Sequence, residues 1–335
     1  MRALTAVMLA AVLMMACGKG GPAPAAGAPE MKNLEHGTMA YWRDVKFTPD
    51  TTDPTGKRGR WSGWFHQDDV DASKLGDGII RGRIDGQWQD LKVVSLPDDF
   101  CEWNFGKRQE QLRFIAKMMA MPEAGMASMM RPEISGPHNA MVASHGMKRK
   151  DSDFDINNAV KGMGWLPRPE KLAELTELLK KTWNGLPPVK LTTLESLYKR
   201  GAEYFDLTKQ SSLELYSQPD FETHTFLNQM VDPGVSVVFL DLPKSYELRC
   251  VAQMLHPDDP GLSDYEKQVV EYINLVHDYF HGRSPRKPSA SSTTWFRYST
   301  THRAGCAASA SCRCCHSRDF CGRRVGLTSP GPPLS

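Results

Sequence analysis

The stretch from Ser211 to Gly282 most narrows what this chain can fold into, because strand and helix signals alternate there in a fixed order. Ser212 to Ser217 is expected as a short strand, and Asp220 as the cap of a helix reaching Met230. Asp232-Pro233-Gly234 is a turn, since proline fixes one φ and glycine tolerates the next. Val235 to Leu240 is β-branched and reads as a buried strand; Pro243-Lys-Ser245 turns, and Tyr246 to Leu255 returns. Ser263-x-x-Glu266 is a capping box, followed by Tyr265, Val269, Ile273, Val276 and Phe280 at helical spacing, with Gly282 as the stop. The order β-α-β-β-α predicts an α+β protein whose C-terminal unit is ferredoxin-like or split-barrel-like.

Upstream, residues 36–106 are expected as an antiparallel, Trp-rich β region. Asp85-Gly86 between Gly78–Ile84 and Gln87–Val94 is the strongest hairpin signal in the chain, because such a turn needs positive φ. Trp42, Trp61, Trp64, Trp88 and Trp103 are expected to build its core. Residues 107–168 hold a helix to 119 and then a Met-rich segment broken by Pro122, Pro132 and Pro137. Residues 169–282 form the α+β domain, entered through an amphipathic helix from Glu170 to Trp183. Asn184 to Pro188 is expected to end that helix, and Thr192-x-x-Glu195 to cap another reaching about Phe205.

The two ends differ in texture from this body. Residues 1–17 run from Met1-Arg2 through an apolar stretch to Cys17, the pattern of an export signal. Leu13-Met14-Met15-Ala16-Cys17 resembles the lipobox of bacterial lipoproteins. The resemblance implies that Cys17 is lipidated and that the protein is held by a membrane through this N-terminal lipid, in the bacterial cell envelope, facing the periplasm or exterior. Residues 18–35 are Gly-, Pro- and Ala-rich and read as a flexible tether. From Arg283 to Ser335 periodicity is lost, and the segment is expected to be either disordered or translated out of frame.

That tail also distorts the charge. The chain carries a formal net +2, yet residues 1–282 hold 32 basic against 38 acidic side chains. A mildly acidic body gives no electrostatic footprint for nucleic acid.

Several side-chain groups could carry chemistry. Met118, Met119, Met121, Met126, Met129, Met130, His138 and His145, with Met141 and Met147 nearby, offer soft thioether and imidazole donors suited to copper. The same methionines suit adaptable packing or a partner surface. His277 and His281 share a helix face, although Asp278 stands where a zincin needs Glu. Asp258, Asp259 and Asp264, and the run Asp151-Ser-Asp153-Phe-Asp155, read as solvated turns or calcium donors. Cys312-Arg-Cys-Cys315-His316 matches the c-type haem pattern, in the tail. Cys101 and Cys250 are a possible disulfide in an oxidising compartment.

Leu215-Tyr-Ser217, Thr223, Phe226-Leu-Asn228, Asp232-Pro233, Val235 to Leu240 and Glu247-Leu-Arg249 together resemble the FMN-binding split-barrel family related to pyridoxamine-phosphate oxidases. The resemblance implies an FMN phosphate near Thr223 and a following basic residue, where this chain has His224 or Thr225. Three functions therefore stand: a non-catalytic binding or structural body on a lipid anchor, an FMN-binding flavoprotein, and a copper-binding protein.

Overall fold

Asp85 (φ 51) and Gly86 (φ 73) both adopt the left-handed region, which closes a two-residue hairpin between β4 (Ile79–Ile84) and β5 (Gln87–Lys92). In the computed structural model, which describes residues 39–53, 58–120, 136–149, 151–241, 244–284 and 288–300 (backbone only for 295–300), this hairpin joins β3 (Val70–Asp71) in a three-stranded sheet. β1 (Arg43–Pro49) and β2 (Gly59–Trp64) form a separate antiparallel pair. The Trp side chains do not share one core. Trp42 is buried with Phe65 and Phe226, whereas Trp64 and Trp88 lie under the guanidinium groups of Arg43 and Arg81.

The protein is α+β, and its organising element is a curled, wholly antiparallel sheet of seven strands in the order β7-β6-β10-β11-β12-β9-β8. These are β6 (Asn139–His145), β7 (Ile156–Gly162), β8 (Gly164–Pro167), β9 (Phe205–Glu214), β10 (Gly234–Asp241), β11 (Lys244–Leu255) and β12 (Ser289–Thr300). The helices are α1 (Asp98–Met119), α2 (Leu172–Thr182), α3 (Pro187–Lys199), α4 (Gly201–Tyr204), α5 (His224–Gln229) and α6 (Asp264–His281).

Four boundaries differ from the sequence expectation. α1 starts at Asp98, so Phe100 and Trp103 are helical and pack edge-on or tilted against Phe239 and Tyr246 at 5.1–5.9 Å between ring centroids. Pro187-Pro188 opens α3 rather than ending α2, because proline's missing N–H is harmless in a first turn. Thr192 then lies inside α3, with its hydroxyl donating to the Pro188 carbonyl. Thr223, not Asp220, caps α5 by accepting the Phe226 N–H. The α6 capping box forms as expected, with Ser263 and Glu266 satisfying each other's backbone N–H groups, and Gly282 follows at φ 82.

The fourth boundary is the largest correction. Part of the segment after 283 belongs to the fold: β12 sits in the middle of the sheet between β11 and β9. Its Ser and Thr residues are β-competent, and Ser291 and Thr293 lie opposite Ser212 and Gln210 of β9, polar against polar. All the described residues belong to one compact unit. Cys17, the 18–35 tether, the Cys312–His316 motif and the rest of the tail from 301 lie outside the described residues. No helix among the described residues is long and apolar enough to cross a membrane.

Candidate functional site

Strand alternation gives the curled sheet two unlike faces. On one face Val142, Val237, Leu248 and Tyr246 are buried in the main core. On the other, register places Ile156 beside His145, Val160 beside Met141, Met141 beside Val238, and Val238 beside Glu247. α6 covers this outer face toward β9 and β11, where Glu266 accepts from Gln253 and Tyr265 lies under Lys209. The β4–β5 hairpin covers it at Val251, against Gly82. Between these two covers the face stays open among the described residues. On the edge strand β7, Ile156 is 66% exposed and Val160 57%; Phe154, just before the strand, is 71% exposed. Large apolar side chains gathered on an edge strand are the mark of a contact surface.

At one corner of that open face three segments converge. Asp85 comes from the hairpin turn, His145 from the end of β6 and Asp232 from the turn before β10, and their donor atoms all lie within 4.8 Å of one another. Asp232 is buried and fixed: Oδ2 accepts the Asp85 N–H at 2.7 Å, and Oδ1 accepts the Gly234 N–H at 2.8 Å. Gly146 (φ 134) lets the end of β6 run close against Val231 and Asp232, where a Cβ would already stand 3.4 Å from both side chains. Near this corner Asp69 pairs with Arg83 at 3.4 Å, and burial holds its carboxyl above the usual range despite that partner.

The sheet's inner side between β7 and β9 is polar but closed. Lys161 donates to Glu214 at 2.6 Å across the seam, both largely buried. The side chains of Gln210, Ser212 and Ser291, and Glu214 Oε1, have no hydrogen-bond partner among the described residues. The cavity beside them is about 10 Å³, room for a single water.

The sequence-flagged groups separate in space. His138 precedes β6 and His145 ends it, so about 23 Å of extended strand divides them and they share no ion. His138 Nδ1–H donates to the Met163 carbonyl (3.0 Å), and burial pushes its imidazole down to about 3. Met118 and Met119 end α1; Met121, Met126, Met129 and Met130 lie outside the described residues. His277 and His281 do stack, 4.7 Å between ring centroids, and burial lowers His281. Asp259 is buried and holds His66 at 2.6 Å rather than joining Asp258 and Asp264 around an ion. Asp151 pairs with Arg149.

Cys101 and Cys250 are separate buried thiols, not a disulfide. Cys101 contacts the Leu96 carbonyl and Cys250 the Leu248 carbonyl. Burial pushes the first to about 12 and the second well above its ordinary value, so both are inert. Thr223, which the flavin resemblance assigns to phosphate, uses its hydroxyl as the α5 cap and accepts from Ser217.

Asp85 and Asp232 escaped sequence reasoning because each sits in a turn, where aspartate is ordinary. Only the fold brings them to His145. No protein-family model matches the chain, and no curated protein matches it.

Proposed function

We propose that the chain is a lipid-anchored protein of the bacterial cell envelope whose body works by binding a protein partner rather than by catalysis. The observation that carries this reading is the uncovered outer sheet face, with Ile156 and Val160 exposed along one edge strand and Phe154 exposed just before it. The anchor rests on the leader and Cys17. The closed inner side supports the same reading, because a ligand-sized pocket is typically hundreds of Å³.

The sheet is of the split-barrel kind. What supports the split barrel is that the seven-stranded antiparallel sheet curls into a half-barrel, and that a Lys161–Glu214 ion pair links β7 back to β9.

Cells grown with labelled palmitate test the anchor: label enters the wild type and is lost in Cys17→Ser. A photo-crosslinker at Ile156 tests the face: it yields a discrete adduct that a crosslinker at Lys181, on α2, does not, and that Val160→Lys abolishes. An unlabelled wild type overturns the anchor. Identical adducts from both positions, or none, overturn the binding face.

A further inference from the structure

We propose that Asp85, His145 and Asp232 form a binding site for a divalent transition-metal ion at the corner of the open sheet face. The proposal does not depend on whether that face takes a protein partner.

The first argument is a gap. His145 Nε2 stands 3.8 Å from Asp232 Oδ2 and 4.0 Å from Asp85 Oδ1, so it hydrogen-bonds neither. Elsewhere in the same molecule a histidine that pairs with a buried carboxylate closes fully: His66 Nδ1 lies 2.6 Å from Asp259 Oδ2. The imidazole between Asp85 and Asp232 instead faces a point common to all three donors. Donors about 2.1 Å from a metal ion sit roughly 3.0–3.4 Å apart around it. The His145 separations of 3.8 and 4.0 Å exceed that range by about half an ångström, and no pair of donors lies beyond 4.8 Å. The two that must move are free to do so, since the side chains of Asp85 and His145 are 78% and 45% exposed.

The second argument is preorganisation. Asp232 is held by two backbone N–H groups, each taking one lone pair of one oxygen, which leaves further lone pairs on both oxygens. One of those N–H groups belongs to Asp85, so the buried carboxylate also fixes the turn that presents the second ligand. Such support of a ligand by its surroundings is typical of working metal sites.

The third argument is charge. Asp69, Asp85 and Asp232 gather here, and among the described residues the ion pair with a fixed cation at this corner is Arg83–Asp69, so carboxylates outnumber it. Two carboxylates and one imidazole suit ions such as Mn²⁺ or Zn²⁺. Three protein donors leave coordination positions open on the solvent side.

Mn²⁺ is the probe of choice, because the thiols of Cys306, Cys312, Cys314, Cys315 and Cys321 would hold Zn²⁺ or copper but not the harder ion. The full-length chain, freed of metal by chelator, is titrated while free Mn²⁺ is followed by electron paramagnetic resonance. The wild type is expected to take up a single Mn²⁺. His145→Gln and Asp85→Asn are each expected to weaken uptake by at least about tenfold. Alkylating the cysteines leaves uptake unchanged. Both variants alter exposed side chains, and metal-free melting curves matching the wild type establish that they fold. Two results overturn the proposal: no uptake by the wild type at millimolar Mn²⁺, or uptake unchanged in both variants. Either would leave His145 as a polar neighbour of Asp232 and no more.

Discussion

Arg108 shows how one residue can hold three segments together. It is buried in α1 and donates to the carbonyls of Pro137 and Met163 and to Asn104 Oδ1, each at 2.7 Å. Asn104 Oδ1 in turn accepts the Trp165 indole N–H, and Asn104 Nδ2 also reaches the Pro137 carbonyl. The guanidinium has no carboxylate partner among these contacts; carbonyl dipoles and the face of Tyr198, 5.4 Å away, stabilise it. Replacing Arg108 with Met keeps the volume but removes its three hydrogen bonds, leaving His138 at the Met163 carbonyl and Asn104 at the Pro137 carbonyl. Urea unfolding should show a loss of about 2–4 kcal/mol. Nothing in the local sequence around Arg108 announces this role, since an Arg among Gln and Glu on a helix reads as surface.

Two elements report on how the sheet is closed and how its helix is started. Ser263→Ala removes the acceptor of the Glu266 N–H at the start of α6. The expected loss is about 1 kcal/mol in chemical denaturation, because one exposed cap is removed and the helix face is untouched. The Lys161–Glu214 pair is a harsher case. Lys161→Met strands the Glu214 carboxylate in the inner side of the sheet, with an expected loss of about 3–5 kcal/mol. The double variant Lys161→Met with Glu214→Leu should recover most of that loss, since a well-packed apolar pair replaces a buried ionic one at little net cost. If the double variant is as unstable as the single, the pair does not act as the latch between β7 and β9.

For the whole molecule, buried neutral histidines set the response to acid. Burial, aided by nearby Arg108, pushes His138 down to about 3, and burial pushes His256 down to about 4 against the pull of Asp258 and Asp259. An unfolded chain protonates these imidazoles near pH 6.5, so below that pH it binds more protons than the folded chain. Stability is therefore full above about pH 6.5 and falls as the pH drops toward the folded values. By pH 5 each histidine should remove about 2 kcal/mol. Unfolding free energies at pH 7 and pH 5 measure the total, and His256→Gln should flatten the slope.

The sequence by itself determined what depends on near neighbours: the Asp85-Gly86 hairpin, the Ser263–Glu266 cap, the Leu172–Leu175–Leu179 stripe of α2 and the β10–β11 return. These follow from φ preference, local hydrogen bonds and helical spacing, all set within a few residues. The tertiary structure alone decided what depends on long-range register. It drew Ser289–Thr300 into the centre of a sheet because β9 and β11 left an unpaired ladder on either side. It placed His138 and His145 at opposite ends of β6, and brought Asp85, His145 and Asp232 within reach of one another from positions 60 and 87 residues apart along the chain. Backbone hydrogen bonding between distant strands fixes such juxtapositions, and no local preference encodes them.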